Sequence, residues 1–212
     1  GDAALRSDSV TGRYPIWAGY GNVTTNVYSK GAVILNSFRH VLKEDFFPSI
    51  TEYLKHNEYQ NVESKDLLEA INKTYNNRHN SNEDFKWMFD QWIRKAGYPE
   101  FEVKYDYNEN VKEVILNVKQ VQKIDSLTPV FRLPLLVRLK NSKEDKIQDL
   151  QISGVDETFR IGLNSKPDMV EFDYGNNFLD KTSFDKSFSD WKTQYYKSEN
   201  AMWFLISLSP LL

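Results

Sequence analysis

The sequence contains no cysteine among its 212 residues. This absence excludes disulfide frameworks, cysteine-ligated zinc, iron–sulfur clusters and cysteine nucleophiles. Histidine is also scarce: the chain has three, His40, His56 and His79, and none lies four residues from another. Two histidines on one helix face, the arrangement that holds zinc in many hydrolases, are therefore missing. We predict that this chain contributes no metal ligand.

The chain also lacks an excess of charge and a long apolar run. Its 27 basic and 30 acidic residues give a net charge of −3, which excludes a strongly basic nucleic-acid-binding protein. The apolar stretch Trp203–Leu212 has about half the length needed to cross a bilayer. We therefore predict no nucleic-acid partner and no membrane span. Because the chain begins Gly1-Asp2 without a methionine, we expect a fragment or processed product.

What the sequence does have is apolar periodicity, which is helical in its first half. Hydrophobic residues make up 40% of the chain, enough for a core. A helix is predicted from Tyr28 to Lys43, with its buried face at Ala32, Leu35, Phe38 and Leu42. A second helix is predicted to begin near Phe46. A third has Ser64 as its N-cap and is followed by a loop at Asn76–Asn82. A fourth runs from Glu83 to Lys95 and is stopped by Gly97.

After Gly97 the period changes from 3.6 residues to two, as in β-strands. The alternating runs lie at 101–105, 114–118, 131–139, 147–152, 158–163 and 169–172, and Pro134 should mark an edge strand or a bulge. The predicted fold class is therefore α+β. Its parts are a helical segment at residues 1–97, an antiparallel β-sandwich at 98–180 and a short helical or irregular tail at 181–212, with a helix at Phe188–Met202.

A series of short motifs then points to one family. They are Tyr28-Ser-Lys-Gly31, Trp92-Ile-Arg-Lys-Ala-Gly-Tyr-Pro99, Gln120-Val-Gln122 and Phe131-Arg-Leu-Pro134. In this order and spacing the chain resembles the M1 family of zinc metallopeptidases, the aminopeptidase N-like enzymes, from about residue 4 to about residue 180. The resemblance implies that residues 1–97 are the helical C-terminal part of a thermolysin-like catalytic domain and that the β-sandwich domain follows.

The same resemblance gives Tyr28 a catalytic role. It aligns with the tyrosine whose hydroxyl stabilises the oxyanion formed when a peptide bond is hydrolysed. Lys30 and Gly31 belong to the same motif, and we interpret them as structural: a solvated or backbone-bonding side chain and a close helix contact. The family's zinc ligands, His-Glu-x-x-His and a further glutamate, are missing from this sequence. The resemblance thus implies zinc in the complete parent enzyme, none bound by this chain, and no activity for the chain alone.

The implied partners are a peptide substrate and the missing N-terminal part of the same catalytic domain. An apolar patch left uncovered on the first helix would favour self-association. Two alternatives remain open: an M1-like relative that has lost its metal and serves as a scaffold, and a β-sandwich interaction module with a helical lead-in.

Overall fold

The computed structural model describes residue 5, residues 13–17 and residues 26–184. In this part of the chain, α-helices come first, and a 3₁₀ turn at Lys43–Asp45 joins the first two. The helices are α1 (Asn26–Leu42), α2 (Phe46–His56), α3 (Ser64–His79) and α4 (Lys86–Trp92). The strands are β1 (Glu100–Asn108), β2 (Glu113–Gln120), β3 (Leu133–Lys140), β4 (Asp145–Ile152), β5 (Asp156–Gly162), β6 (Met169–Phe172) and β7 (Lys181–Phe184). The predicted α+β class is confirmed.

Helix α1 buries only part of the face that we predicted. Phe38 and Leu42 are in the core as predicted, Ile34 joins them, and the Phe38 ring meets Phe89 of α4 edge to face at 5.0 Å between centroids. Ala32 and Leu35, predicted to be buried, are exposed. The apolar residues of α1 cover more than one face, so their spacing alone fits either orientation, and packing against α4 decides it.

The ends of the helices also differ from the prediction. Ser64 is the first residue of α3, and Glu63 is its N-cap: the Glu63 N–H donates to Asp66 Oδ2 at 2.7 Å. Helix α3 continues to His79 and stops at Asn80, which takes the left-handed conformation with φ 48°. Helix α4 ends at Trp92. Gly97, which we predicted to stop this helix directly, therefore lies in the segment that follows it.

The β-strands form two sheets, with strand orders β5-β2-β1-β7 and β4-β3-β6. Neighbours pair antiparallel except β1 and β7, which are parallel. The rings of Phe101 on β1 and Phe172 on β6 lie 5.2 Å apart, so the sheets share one core, as in a sandwich. Pro134 lies in the middle strand of its sheet, but only β4 pairs beside it there, because β6 pairs with β3 from Val137 onwards.

The chain divides into two compact units. The helical unit comprises Gly1–Gly97 and also Ile124–Pro129, a loop between β2 and β3; the sandwich unit comprises the rest. The prediction of separate segments at 1–97 and 98–180 did not foresee this inserted loop. The prediction also ended the sandwich one residue before β7. The helix predicted at Phe188–Met202 lies outside the described residues. Among the helices of the described part, none is long and apolar enough to span a bilayer.

Candidate functional site

Tyr28 stands in the first turn of α1 and is 79% exposed. Ala32 and Leu35 follow on the same side of the helix at steps of four and three residues, and both are exposed as well. The phenol is therefore presented on an accessible helix face rather than packed into the core. A hydroxyl in this position is free to donate a hydrogen bond to a group brought from outside the described residues.

The apolar surface around Tyr28 continues onto α2. Leu35 is 46% exposed and Phe47 is 62% exposed. The Arg39 guanidinium lies over the Phe47 ring at 5.4 Å from its centroid, a cation–π contact. We call Tyr28, Ala32, Leu35, Arg39 and Phe47 the outer face. Large apolar side chains grouped on two consecutive helices are characteristic of surfaces that another protein segment covers.

Lys30 lies on the opposite side of α1 and is only 1% exposed. Its Nζ donates to the backbone carbonyl of Gly97 at 2.8 Å, so of the two roles predicted for it, bonding to the backbone is the one observed. The close helix contact predicted at Gly31 is not found among the described residues, where a Cβ added to Gly31 would meet no atom within 4 Å.

The carbonyl that receives Lys30 belongs to a tightly held turn. Gly97 has φ +76°, and a Cβ on it would lie 2.8 Å from Thr128 Oγ1, so the position requires glycine. Thr128 Oγ1 in turn accepts from Arg13 at 2.6 Å. Arg13 also pairs with Asp125 at 2.7 Å, and this hydrogen bond, with a second from the Thr128 N–H, holds the pKa of Asp125 well below its ordinary value.

Within residues 13–17 and 26–184, no three histidine, aspartate or glutamate side chains lie close enough together to hold a metal ion. Buried Asp45 does lie beside a histidine: its Oδ2 is 2.7 Å from His79 Nε2, and its other oxygen pairs with Arg78. One carboxylate facing an arginine and a histidine is an ion-pair network, which ties the start of α2 to the end of α3. The described residues therefore do not fit a zinc site.

The sequence motif singled out Tyr28, but it did not reveal the residues that hold its helix. The sequence did indicate the burial of Lys30, because its spacing puts Lys30 on one helix face with Ile34 and Ser37, at steps of four and three residues. All three side chains are buried. No such indication exists for the pairing of Arg13 with the loop at Asp125 and Thr128, because more than 110 residues separate its members.

Comparison with known proteins agrees with this arrangement. Residues 21–92, which include Tyr28 and all of α1–α4, match the family described as Peptidase family M1 domain. The chain is 29% identical over 172 residues to the tricorn protease-interacting factor F2 of Thermoplasma volcanium, covering 76% of this chain and 20% of that protein. It is 25% identical over 193 residues to the leucyl aminopeptidase of Saccharolobus solfataricus, covering 83% of this chain and 23% of the relative.

A solved structure shares the fold. The structure of Legionella pneumophila aminopeptidase A in complex with aspartic acid superposes with a TM-score of 0.62 at 20% identity, covering 84% of this chain and 20% of the other. The chain thus spans about a fifth of the length of these relatives. The family match covers the helices, about a third of the chain, and the relatives align across most of it with the same fold: the chain is similar to members of peptidase family M1.

Proposed function

We propose that this chain is part of a zinc metallo-aminopeptidase that hydrolyses N-terminal residues from peptides, and that it supplies the tyrosine that stabilises the oxyanion. The observation that carries the proposal is the exposure of Tyr28, 79%, on the first turn of a helix within the family-matched residues. A tyrosine buried for packing alone would have its ring in the core, beside Ile34 and Phe38.

The chemistry assigned to Tyr28 follows from its hydroxyl group. When a peptide carbonyl is attacked by water, its oxygen gains negative charge, and a hydrogen-bond donor aimed at that oxygen lowers the barrier. A phenolic O–H donates without carrying charge, so it favours the charged transition state more than the neutral substrate. Held on α1, the donor would be in place before substrate arrives.

The remainder of the reaction centre is assigned to another part of the polypeptide. Zinc in the complete enzyme would activate the attacking water. Since the described residues offer no group of ligands for it, the ligands and the general base come from sequence outside them. The outer face and its tyrosine would then have two partners: a peptide substrate, and the N-terminal part of the same catalytic domain.

Replacing Tyr28 tests this function in the complete enzyme. We expect Tyr28→Phe to lower kcat about 100-fold to 1000-fold, the usual cost of losing one oxyanion donor, with zinc content and fold unchanged. Tyr59→Phe is the matched control, because Tyr59 is fully exposed in the turn between α2 and α3 and lies outside the proposed site. Peptide hydrolysis is measured with an aminoacyl chromogenic substrate. A kcat within about twofold of the parent in Tyr28→Phe would contradict the assignment.

A further inference from the structure

The side of α1 that faces away from Tyr28 contains an unusual buried side chain. Lys30 is two residues beyond Tyr28, so the two project about 200° apart around the helix. Lysine is among the residues least often fully buried, because its nitrogen must keep polar partners when it leaves water. In α1 the Lys30 residue is 1% exposed, and its Nζ donates a hydrogen bond to the Gly97 carbonyl at 2.8 Å.

The first turn of α1 depends on such an anchor. The first four N–H groups of any helix have no partner within the helix, and a single turn is unstable unless something else holds it. In α1 no acidic residue stands in the first turn to compensate the helix dipole. A tertiary contact such as the one made by Lys30 therefore helps to keep this turn, which bears Tyr28, from fraying.

The acceptor of the Lys30 hydrogen bond is itself fixed in place. The neighbouring Ala96 N–H donates to Leu127 O at 2.9 Å, and Lys95 Nζ donates to Ser126 O at 2.7 Å. Gly97 packs against Thr128 so closely that no side chain fits. The loop Ile124–Pro129 thus holds the segment whose carbonyl receives Lys30.

We propose that Lys30 is a positioning residue for Tyr28: by bonding the Gly97 carbonyl, which the Ile124–Pro129 loop fixes, it sets the rotation and order of the first turn of α1 and so the place of the tyrosine hydroxyl. This inference rests on the proposed function of Tyr28. It assigns Lys30 no contact with substrate. A displacement of about 1 Å in a catalytic group can lower a rate on the order of 100-fold, so a small loss of anchoring is sufficient to be measured.

A double-mutant cycle in the complete enzyme tests the inference. Lys30→Met removes the donor and keeps most of the aliphatic stem. We expect it to lower kcat about 10-fold to 100-fold with KM within about twofold. If Lys30 acts only through the tyrosine hydroxyl, Lys30→Met should change kcat less than about twofold when it is added to Tyr28→Phe. Ser37→Ala is the control, because Ser37 is also buried on α1 but lies more than two turns away from Tyr28.

The outcomes separate this inference from the proposed function. If Lys30→Met lowers kcat by the same factor in the parent enzyme and in the Tyr28→Phe variant, Lys30 has a general folding role. That result would overturn the positioning role, while the assignment of Tyr28 would stand. An unchanged kcat in Lys30→Met would overturn it as well. If Tyr28→Phe itself leaves kcat intact, both proposals fall.

Hydrogen exchange on the 212-residue chain tests the anchoring of the first turn without a measurement of activity. The amides of residues 30–32 bond to the carbonyls of the first turn, so Lys30→Met should speed their exchange at least about tenfold and leave the amides near Phe38 unchanged. Should Lys30→Met fail to fold, Lys30→Gln retains an N–H donor on a shorter stem and is expected to give a smaller change in the same amides. Exchange that is unaltered, or that rises uniformly along α1, would contradict the anchoring.

Discussion

Asp125 shows how a single side chain links stability to pH. Its partner Arg13, and then the N–H of Thr128, hold the pKa of the folded-state carboxyl below the ordinary value of 3.8. Protonation is therefore harder in the folded state than in the unfolded chain. The resulting stabilisation is fully present above about pH 4 and is lost as the pH falls further, toward the folded-state pKa.

We expect Asp125→Asn to remove this pH-dependent contribution. The urea midpoint of the helical signal at 222 nm should fall in the variant at pH 6, and the difference from the parent should shrink steadily between pH 4 and pH 2. Asp149→Asn is the control, because Asp149 is an exposed aspartate of β4. A parent-to-variant difference that stays constant down to pH 2 would refute the linkage.

The roles of individual residues could be predicted from the sequence only in part. Tyr28 was singled out by its motif, and its exposure agrees with a role at a surface. Glu63 took the N-cap position that we predicted for Ser64, because Asp66 is spaced to accept the Glu63 N–H. A sequence can suggest several N-cap candidates, but the conformation of the loop that precedes the helix decides which of them is the N-cap.

Among the strands, β2 contains a buried polar side chain that is hydrogen-bonded through both its amide nitrogen and its amide oxygen. Gln120 is 2% exposed. Its Nε2 donates to Phe131 O at 2.8 Å and to Gly154 O at 2.9 Å, while its Oε1 accepts from Phe131 N at 2.9 Å and from Gln122 Nε2 at 2.9 Å. One amide thus joins the end of β2 to the chain before β3 and after β4.

Replacing this amide should destabilise the sandwich strongly. We expect Gln120→Leu to reduce the free energy of unfolding by about 3–5 kcal/mol, because the Phe131 N–H and carbonyl and the part-buried Gly154 carbonyl would each lose the hydrogen bond that Gln120 makes. Gln151→Leu, an exposed glutamine on β4, should change it by less than about 1 kcal/mol. Urea denaturation followed through exchange of sandwich amides measures both. A loss below about 1 kcal/mol in Gln120→Leu would show that the network is dispensable.

The helices and strands differ in how accurately they could be predicted from the sequence. The strands β1–β6 were located because alternation of apolar and polar residues is a short-range pattern that a half-buried sheet enforces. Helix α1 was located, but only Phe38 and Leu42 of its predicted buried face are in the core. Leu35 and Ile34 are adjacent and both strongly apolar, so their spacing does not choose between them, and the fold buries Ile34. The β7 strand was missed because Lys181-Thr-Ser-Phe184 contains a single apolar residue, so no alternation of apolar and polar residues is visible in it.

Considered as one polypeptide, the chain should associate with itself through the outer face. Leu35 and Phe47 are exposed by 46% and 62%, and burying such area in a second copy lowers the free energy of the pair. We expect the sedimentation coefficient to rise with concentration across the micromolar range, and Leu35→Lys with Phe47→Lys to abolish the rise.

The control for this surface is Val111→Lys, which places the same charge on an exposed residue in the turn between β1 and β2. It should sediment like the parent chain. Self-association that persists unchanged in the outer-face variant would locate the interface elsewhere and contradict the proposed partner surface.

The loop Ile124–Pro129 has a consequence for how such proteins can be recombined. It is encoded among the strands yet completes the fold of the helices, where Asp125 and Thr128 bond to Arg13. A chimera that takes its strands from one homologue and its helices from another would bring a foreign hexapeptide against Gly97. To keep this hexapeptide with its own helices, the chimera needs two additional crossover points, one on each side of it. A substitution in the hexapeptide should then be transferred together with any substitution at Arg13.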